Sequence, residues 1–419
     1  MNIRAASITG LQKEIRIRDA GRNSQLAASA ADVAEPADLG ARIDNVVAVA
    51  AAHAAAVDRE SRFPKEAIAA ARAERLLGVA VPRELGGEGL TVADLADICY
   101  ALGSACASTA MIYAMHQTKV ACIIRHGRGS PWHQLLLRRL CAEQLLLASS
   151  TTEGQAGGDL RNSAAAVGGD TLITLERQAT VISYGEAADG IVTTARRSAD
   201  AASSDQVLIA FLKENYALER LNGWDAFGMR GTCSDGFKLV ASGLREQILP
   251  VSYEKIHCHT MMPVAHLLWS SAWAGIAAAA VERARAFVRK ATHRSGGTLP
   301  PGAAHLTRAV ASLKTLRSLI AVSTQRFEAA AADPAKLESI DFQTSMNMLK
   351  VSASELAVAA VMSAMQTCGL SGYRNDGEFS IGRHLRDILS SPIMISNDRI
   401  LANVAAASAL GATPETLRD

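Results

Sequence analysis

The chain has 419 residues, enough for two or three domains and a large buried core. Hydrophobic residues make up 49% and charged residues 20%, which excludes a disordered chain, and aromatics are only 4%. A formal net charge of +2 gives no electrostatic reason for nucleic acid or an acidic membrane as a partner.

Residues 1–40 show no sustained periodicity and read as a flexible extension. Residues 41–144 read as an all-α domain. Within it Pro64 stops one helix and starts the next, Gly78 closes the second, and Thr91 is placed to cap the helix that follows. At about residue 145 the composition shifts. The run LLLASS leads into a Gly-rich loop, Thr151-Thr152-Glu153-Gly154-Gln155-Ala156-Gly157-Gly158-Asp159. The β-like segments TLITL, ATVIS, GIVTTA, QVLIAFL and FKLVAS then recur between Gly, Asp and Ser turns. This is a central β-domain over 145–250. Helical pattern returns over 251–412, and helices at about 305–331 and 336–368 complete a four-helix bundle, leaving a tail at 413–419. The fold class is therefore α+β: an N-terminal helical domain, a small central β-domain and a C-terminal four-helix bundle.

The most apolar stretch, Trp269 to Ala280, is short and flanked by His266 and Glu282, so no membrane insertion is expected. The basic N-terminus lacks the apolar core of a secretion signal. Seven cysteines lie scattered with no Cys-x-x-Cys pair, the pattern of reduced thiols and of a cytoplasmic protein. Adjacent side chains on a helix diverge, so His257-Cys258-His259 is not expected to hold a metal.

Chemistry concentrates in a few motifs. The Gly-rich loop offers hydroxyls and close backbone approach. Val181-Ile182-Ser183-Tyr184-Gly185 places a hydroxyl at the end of a β segment. Gly228-Met229-Arg230-Gly231-Thr232 is a further motif among the β-like segments. Arg294, in the break between two helices, carries a planar fork suited to phosphate. Gln366, Gly369 and Gly372 form a turn after the last long helix, and Arg386-Asp387 is followed by the loop ILSSPIMISN.

In this order, over about residues 45–412, these motifs resemble the acyl-CoA dehydrogenase family. The resemblance implies bound FAD, a homodimer or homotetramer, and oxidation of the CH–CH group of an acyl thioester, carried on CoA or on a carrier protein, with the flavin as hydride acceptor. The electron acceptor beyond the flavin is open. The implied cofactor residues are Thr151, Thr152, Gly157, Ser183, Arg294, His305, Gln366, Gly369, Asn397 and Arg399. Family features are altered: Val181 replaces a Trp, Gly297 a Phe and Leu370 a Gly, and in the Gly-rich loop Gly154 replaces a Pro, Gln155 a Gly and Gly158 a Ser.

Removing an α-proton from a thioester needs a base. The family's two positions for a catalytic glutamate fall here on Ile395 and Ala265, and the Arg that usually follows the second is His266. His266, Asp398 and His116 are the candidates for a catalytic role. Three readings stay open: a dehydrogenase with another base, a flavin-dependent monooxygenase on the same fold, and a non-catalytic flavin-binding or assembly protein.

Overall fold

The structure, a computed structural model, describes residues 38–153 and 162–410. The expected tail and almost all of the expected extension lie outside the described residues.

Helix α1 (Leu39–Glu60) ends before Pro64, and α2 (Lys65–Ala73) starts directly after it. Helix α2 stops well short of Gly78. Arg75 adopts φ 55, and the Leu76 N–H reaches back to the Ala71 carbonyl, so a left-handed residue closes the helix where a glycine was expected to. Helix α3 (Val92–Ala105) begins with the expected cap. The Thr91 side chain accepts the Asp94 N–H, and the Asp94 carboxylate accepts the Thr91 N–H at 2.8 Å. Helix α4 (Ala107–His126) is buried around most of its circumference, and α5 (Pro131–Glu143) follows.

Among the described residues seven strands come next: β1 (Leu147–Ser150), β2 (Gly168–Gly169), β3 (Leu172–Ser183), β4 (Gly190–Arg196), β5 (Gln206–Leu212), β6 (Tyr216–Asn222) and β7 (Ser234–Leu244). They form a three-stranded sheet, order β1-β4-β5, and a four-stranded antiparallel sheet, order β2-β3-β7-β6. Strand β1 pairs parallel with β4, and β4 antiparallel with β5. The segments TLITL and ATVIS are one strand. Alternation runs unbroken through the polar residues between them, with Arg177 on the buried face.

The chain then turns helical through α6 (Tyr253–Ile256) and a π-helical turn (His257–Met261) into α7 (Met262–Arg294). Helices α8 (Ala303–Ala330), α9 (Pro334–Glu338), α10 (Ile340–Cys368), α11 (Leu370–Tyr373), α12 (Gly382–Ile388) and α13 (Asn397–Leu410) complete the chain. The 33-residue α7 is the axis of the molecule, packed by α3, α8 and α10. A Cβ on Gly275 would lie 2.2 Å from the Tyr100 carbonyl oxygen, so a glycine is what lets α3 and α7 touch backbone to backbone. Two helical stretches, Tyr253–Arg294 and Ile340–Cys368, are long and apolar enough to cross a membrane. In the first, 89% of the most apolar window is buried in the protein's own core.

Candidate active site

Strand β1 delivers Thr151 and Thr152 to the edge of the sheet, and the residue after them, Glu153, is held in a buried network. Glu153 is 5% exposed. Its carboxylate accepts the Ser163 hydroxyl at 2.8 Å and the Ala164 N–H at 2.6 Å, and it pairs with the Arg177 guanidinium at 3.1 Å. Arg177 also donates to the Thr194 hydroxyl at 3.0 Å. The acidic residue of the Gly-rich loop is thus an anchor, and the two threonines are what it presents.

A second anchor lies under the Gly228–Thr232 turn. Asp387 accepts the Met229 N–H at 2.7 Å, and a Cβ on Gly228 would lie 2.0 Å from the Arg386 carbonyl oxygen. Arg386 forms an ion pair with Asp58. Burial pushes the Asp387 carboxyl up to about 6. The turn and the Arg-Asp pair, remote in sequence, are therefore the two sides of one contact.

These anchors frame a cavity of about 1260 Å³. Helix α4 supplies Met111, Met115 and Lys119 at i, i+4 and i+8, one face of one helix. The start of α7 supplies Met262, Ala265, His266 and Trp269, and the π-helical turn supplies Met261. The loop after Asp387 adds Met394 and Ile395, and the sheets add Thr151, Thr152, Val181 and Ser183. At the strand ends, the Ser183 and Ser234 hydroxyls are 2.8 Å apart, and Thr232 continues the chain to Ser234 at 2.8 Å. Apolar Phe227, Ile340 and Ile393 line the exposed mouth.

The two candidate histidines part company here. His116 is fully buried and both ring nitrogens are used by the backbone. Nε2 donates to the Leu77 carbonyl at 2.9 Å, and Nδ1 accepts the Leu147 N–H at 3.0 Å. It ties α4 to β1 and does not line the cavity. His266 does line the cavity, and its Nδ1 lies 2.9 Å from the Met346 carbonyl. A carbonyl can only accept, so Nδ1 carries the proton and Nε2 keeps its lone pair. Burial pulls the His266 imidazole down to about 3, so it is neutral at ordinary pH.

Of the other expected residues, Thr151, Thr152, Ser183 and Arg399 line the cavity, and Gly157 lies outside the described residues. Asp398 is exposed and does not line the cavity. Asn397 is buried in a different network. It accepts from the Lys350 ammonium at 2.6 Å and donates to the Ser354 hydroxyl at 2.9 Å. His305, Gln366 and Gly369 lie where the Gly302 turn packs on the Gln366 and Thr367 carbonyls, and Arg294 is the exposed last residue of α7 before that turn. Cys258 and His259 do converge with Glu338, their ligand-type atoms lying within 4.8 Å of one another. The His259 imidazole already bonds Glu338 at 2.8 Å, and burial pushes the Cys258 thiol up to about 11. Sequence reasoning passed over Lys119 and the anchoring role of Glu153. The i, i+4, i+8 spacing of Met111, Met115 and Lys119 is a signal that could have found the first.

An apolar slot edged by hydroxyls, roomy enough for a tricyclic ring and a substrate beside it, defines a flavoenzyme-type site. The comparisons give the family. Residues 43–138 match the acyl-CoA dehydrogenase N-terminal domain and residues 260–410 the acyl-CoA dehydrogenase C-terminal domain, together over half of the chain. The chain belongs to the acyl-CoA dehydrogenase family, and with it to a family of flavin enzymes. It is 25% identical over 366 residues to a cyclohex-1-ene-1-carbonyl-CoA dehydrogenase of Syntrophus aciditrophicus, covering 84% of each chain. It is 27% identical over 359 residues to an L-evernosamine nitrososynthase of a Micromonospora species, covering 82% of each. Two shorter matches, to probable acyl-CoA dehydrogenases, span 32% and 28% of those proteins' length. FMN-bound TdsC from Paenibacillus superposes with a TM-score of 0.77 at 17% identity, over 89% of this chain and 98% of that one.

Proposed function

We propose that this protein is a flavin-dependent monooxygenase rather than a thioester dehydrogenase. One observation carries the reading. Both places where the family's glutamate would stand, Ala265 and Ile395, are on the cavity wall, and both are aliphatic. A chain that cannot take an α-proton there has lost the step that makes a dehydrogenase, and it has kept the cavity.

The remaining lining suits oxygen transfer. When bound and reduced, a flavin supplies two electrons and activates molecular oxygen; one oxygen atom enters the substrate and the other leaves as water. The Ser183–Ser234–Thr232 hydroxyl chain and the two threonines would hold the ring's polar edge. Methionines 111, 115, 261 and 262, with Trp269, exclude water from the reacting face. Neutral His266, with Nε2 open, can receive a proton inside the cavity. The full-length relatives include a nitrososynthase, and a monooxygenase, TdsC, is among the solved neighbours; both support the reading.

The same His266 lone pair is what a dehydrogenase with a replaced base would need, so that reading has one observation of its own. Anaerobic titration of flavin-loaded protein with a panel of acyl-CoA thioesters separates the two. The oxygenase reading predicts that the flavin stays oxidised with every thioester. Bleaching by any of them would establish the dehydrogenase reading.

A further inference from the structure

We propose that the cavity takes a substrate with an apolar body and an anionic head, a carboxylate or a comparable oxyanion, and that Lys119 and Tyr253 seat the head. The inference rests on reading the cavity as the substrate site of a flavin enzyme.

Lys119 is 4% exposed and lines the cavity. Its ammonium donates to the Met261 sulfur at 3.3 Å. The Tyr253 hydroxyl, also buried and also on the cavity wall, donates to the same sulfur at 3.6 Å. Two strong donors therefore converge on one thioether, a weak acceptor. An oxyanion placed between them would accept both, and its charge would balance the ammonium.

Among the described residues, nothing around the lysine already does that work. The acids on the cavity lining are committed or exposed: Asp205 pairs with Arg197 at 3.0 Å, Glu338 bonds His259 at 2.8 Å, and Glu254 is exposed. Cys122, the ionisable neighbour on the same helix, is pushed up to about 12 by burial, and the Tyr253 phenol is raised as well, so both are neutral. Arg386, the other cation deep in the lining, has its carboxylate in Asp58. Burial pulls Lys119 down to about 8, which leaves it protonated at neutral pH. A lone buried ammonium is costly, and a fold that keeps one facing a cavity has a use for it when the cavity is filled. Met111 and Met115 flank it on the same helix face and form the bed for the apolar body.

The test is binding, so it does not depend on turnover and stands or falls separately from the oxygenase reading. Full-length protein saturated with oxidised FMN is titrated calorimetrically with cinnamate and with cinnamyl alcohol, which share a body and differ in charge. Cinnamate should bind about tenfold more tightly, the worth of one charge-assisted hydrogen bond. In Lys119→Met that preference should vanish, with the alcohol's affinity and the FMN affinity unchanged. In Tyr253→Phe it should shrink about threefold. For the unmodified protein the preference should also fade as pH rises past about 8, because the ammonium loses its proton while cinnamate stays ionised. This arm needs no variant to fold. Equal affinities, no binding of either probe, a preference that survives in Lys119→Met, or a loss of FMN rather than cinnamate in that variant would each overturn the proposal.

Discussion

Helix α7 has two ends that the motifs treat alike and the structure treats differently. Its start lies in the cavity wall, with His266 buried and its tautomer fixed by the Met346 carbonyl. Its last residue, Arg294, is exposed, and His305, Gln366 and Gly369 lie at the Gly302 turn beyond it. At 1.5 Å per residue, His266 and Arg294 stand about 40 Å apart. No single flavin touches both ends of one chain. The cavity end and the bundle end are therefore two separate groups of the expected cofactor residues. A set of residues that reads as one binding site in sequence is two half-sites in space.

The largest expected effect concerns the anchor beneath the cavity. Arg177→Met leaves Glu153 buried without its partner and should cost about 3–5 kcal/mol in denaturant unfolding, with flavin binding lost in parallel. A cost under about 1 kcal/mol would mean that the loop is held by something else. Next, Gly228→Ala drives a methyl into the Arg386 carbonyl and should destabilise by about 1–3 kcal/mol. An unchanged midpoint would show that the turn and the Arg-Asp pair are not in contact.

Acid should also weaken the fold. His116, His126 and His133 are pulled to about 4 and His266 to about 3, all by burial. The unfolded chain binds protons that the folded one refuses, so their contribution is present above their ordinary value of 6.5 and is lost as pH falls. Asp387, raised from 3.8 to about 6, acts in the opposite sense, favouring the fold at low pH and losing that effect as pH rises through 6. His384 is also held well below 6.5 by burial, so five histidines against one aspartate predict a thermal midpoint that falls from pH 6.5 to 4. A flat profile would contradict the buried, neutral assignment.

A smaller effect separates the two half-sites. Arg294→Ala should weaken FAD about tenfold and leave FMN unchanged, because only FAD has an adenosine to lose. Equal weakening of both would unite the half-sites. The smallest effect is at Ile395, a β-branched residue at φ 58. Asn tolerates that conformation, so Ile395→Asn should raise stability by about 1 kcal/mol.

Much of the architecture was legible because its signals are local. Thr91 caps, Pro64 separates helices, and alternation marks the strands. The motif residues Thr151, Thr152 and Ser183 reached the cavity because backbone connectivity places them. Other roles depend on packing that no spacing encodes. His116 looked chemical because of its segment, yet it spends both nitrogens on Leu77 and Leu147. Asn397 looked like a cofactor ligand, yet it accepts from the buried ammonium of Lys350, to which no carboxylate among the described residues is bonded. Cys258 and His259 approach Glu338 across a π-helical turn, a departure from regular helix that composition does not announce. Lys119 was passed over because a lysine on a helix usually faces water, and only the closure of the cavity makes it inward.

The most direct test of the central claim uses isotopically labelled molecular oxygen. Flavin-loaded protein, kept reduced by a flavin reductase, is incubated under the labelled gas with a panel of aromatic carboxylates and amines, and products are read by mass spectrometry. The account predicts a product carrying one labelled atom, formed only with the protein present. No label in any substrate tested, together with desaturated product when acyl-CoA thioesters are offered to the oxidised flavin-loaded protein in a parallel incubation, would contradict it.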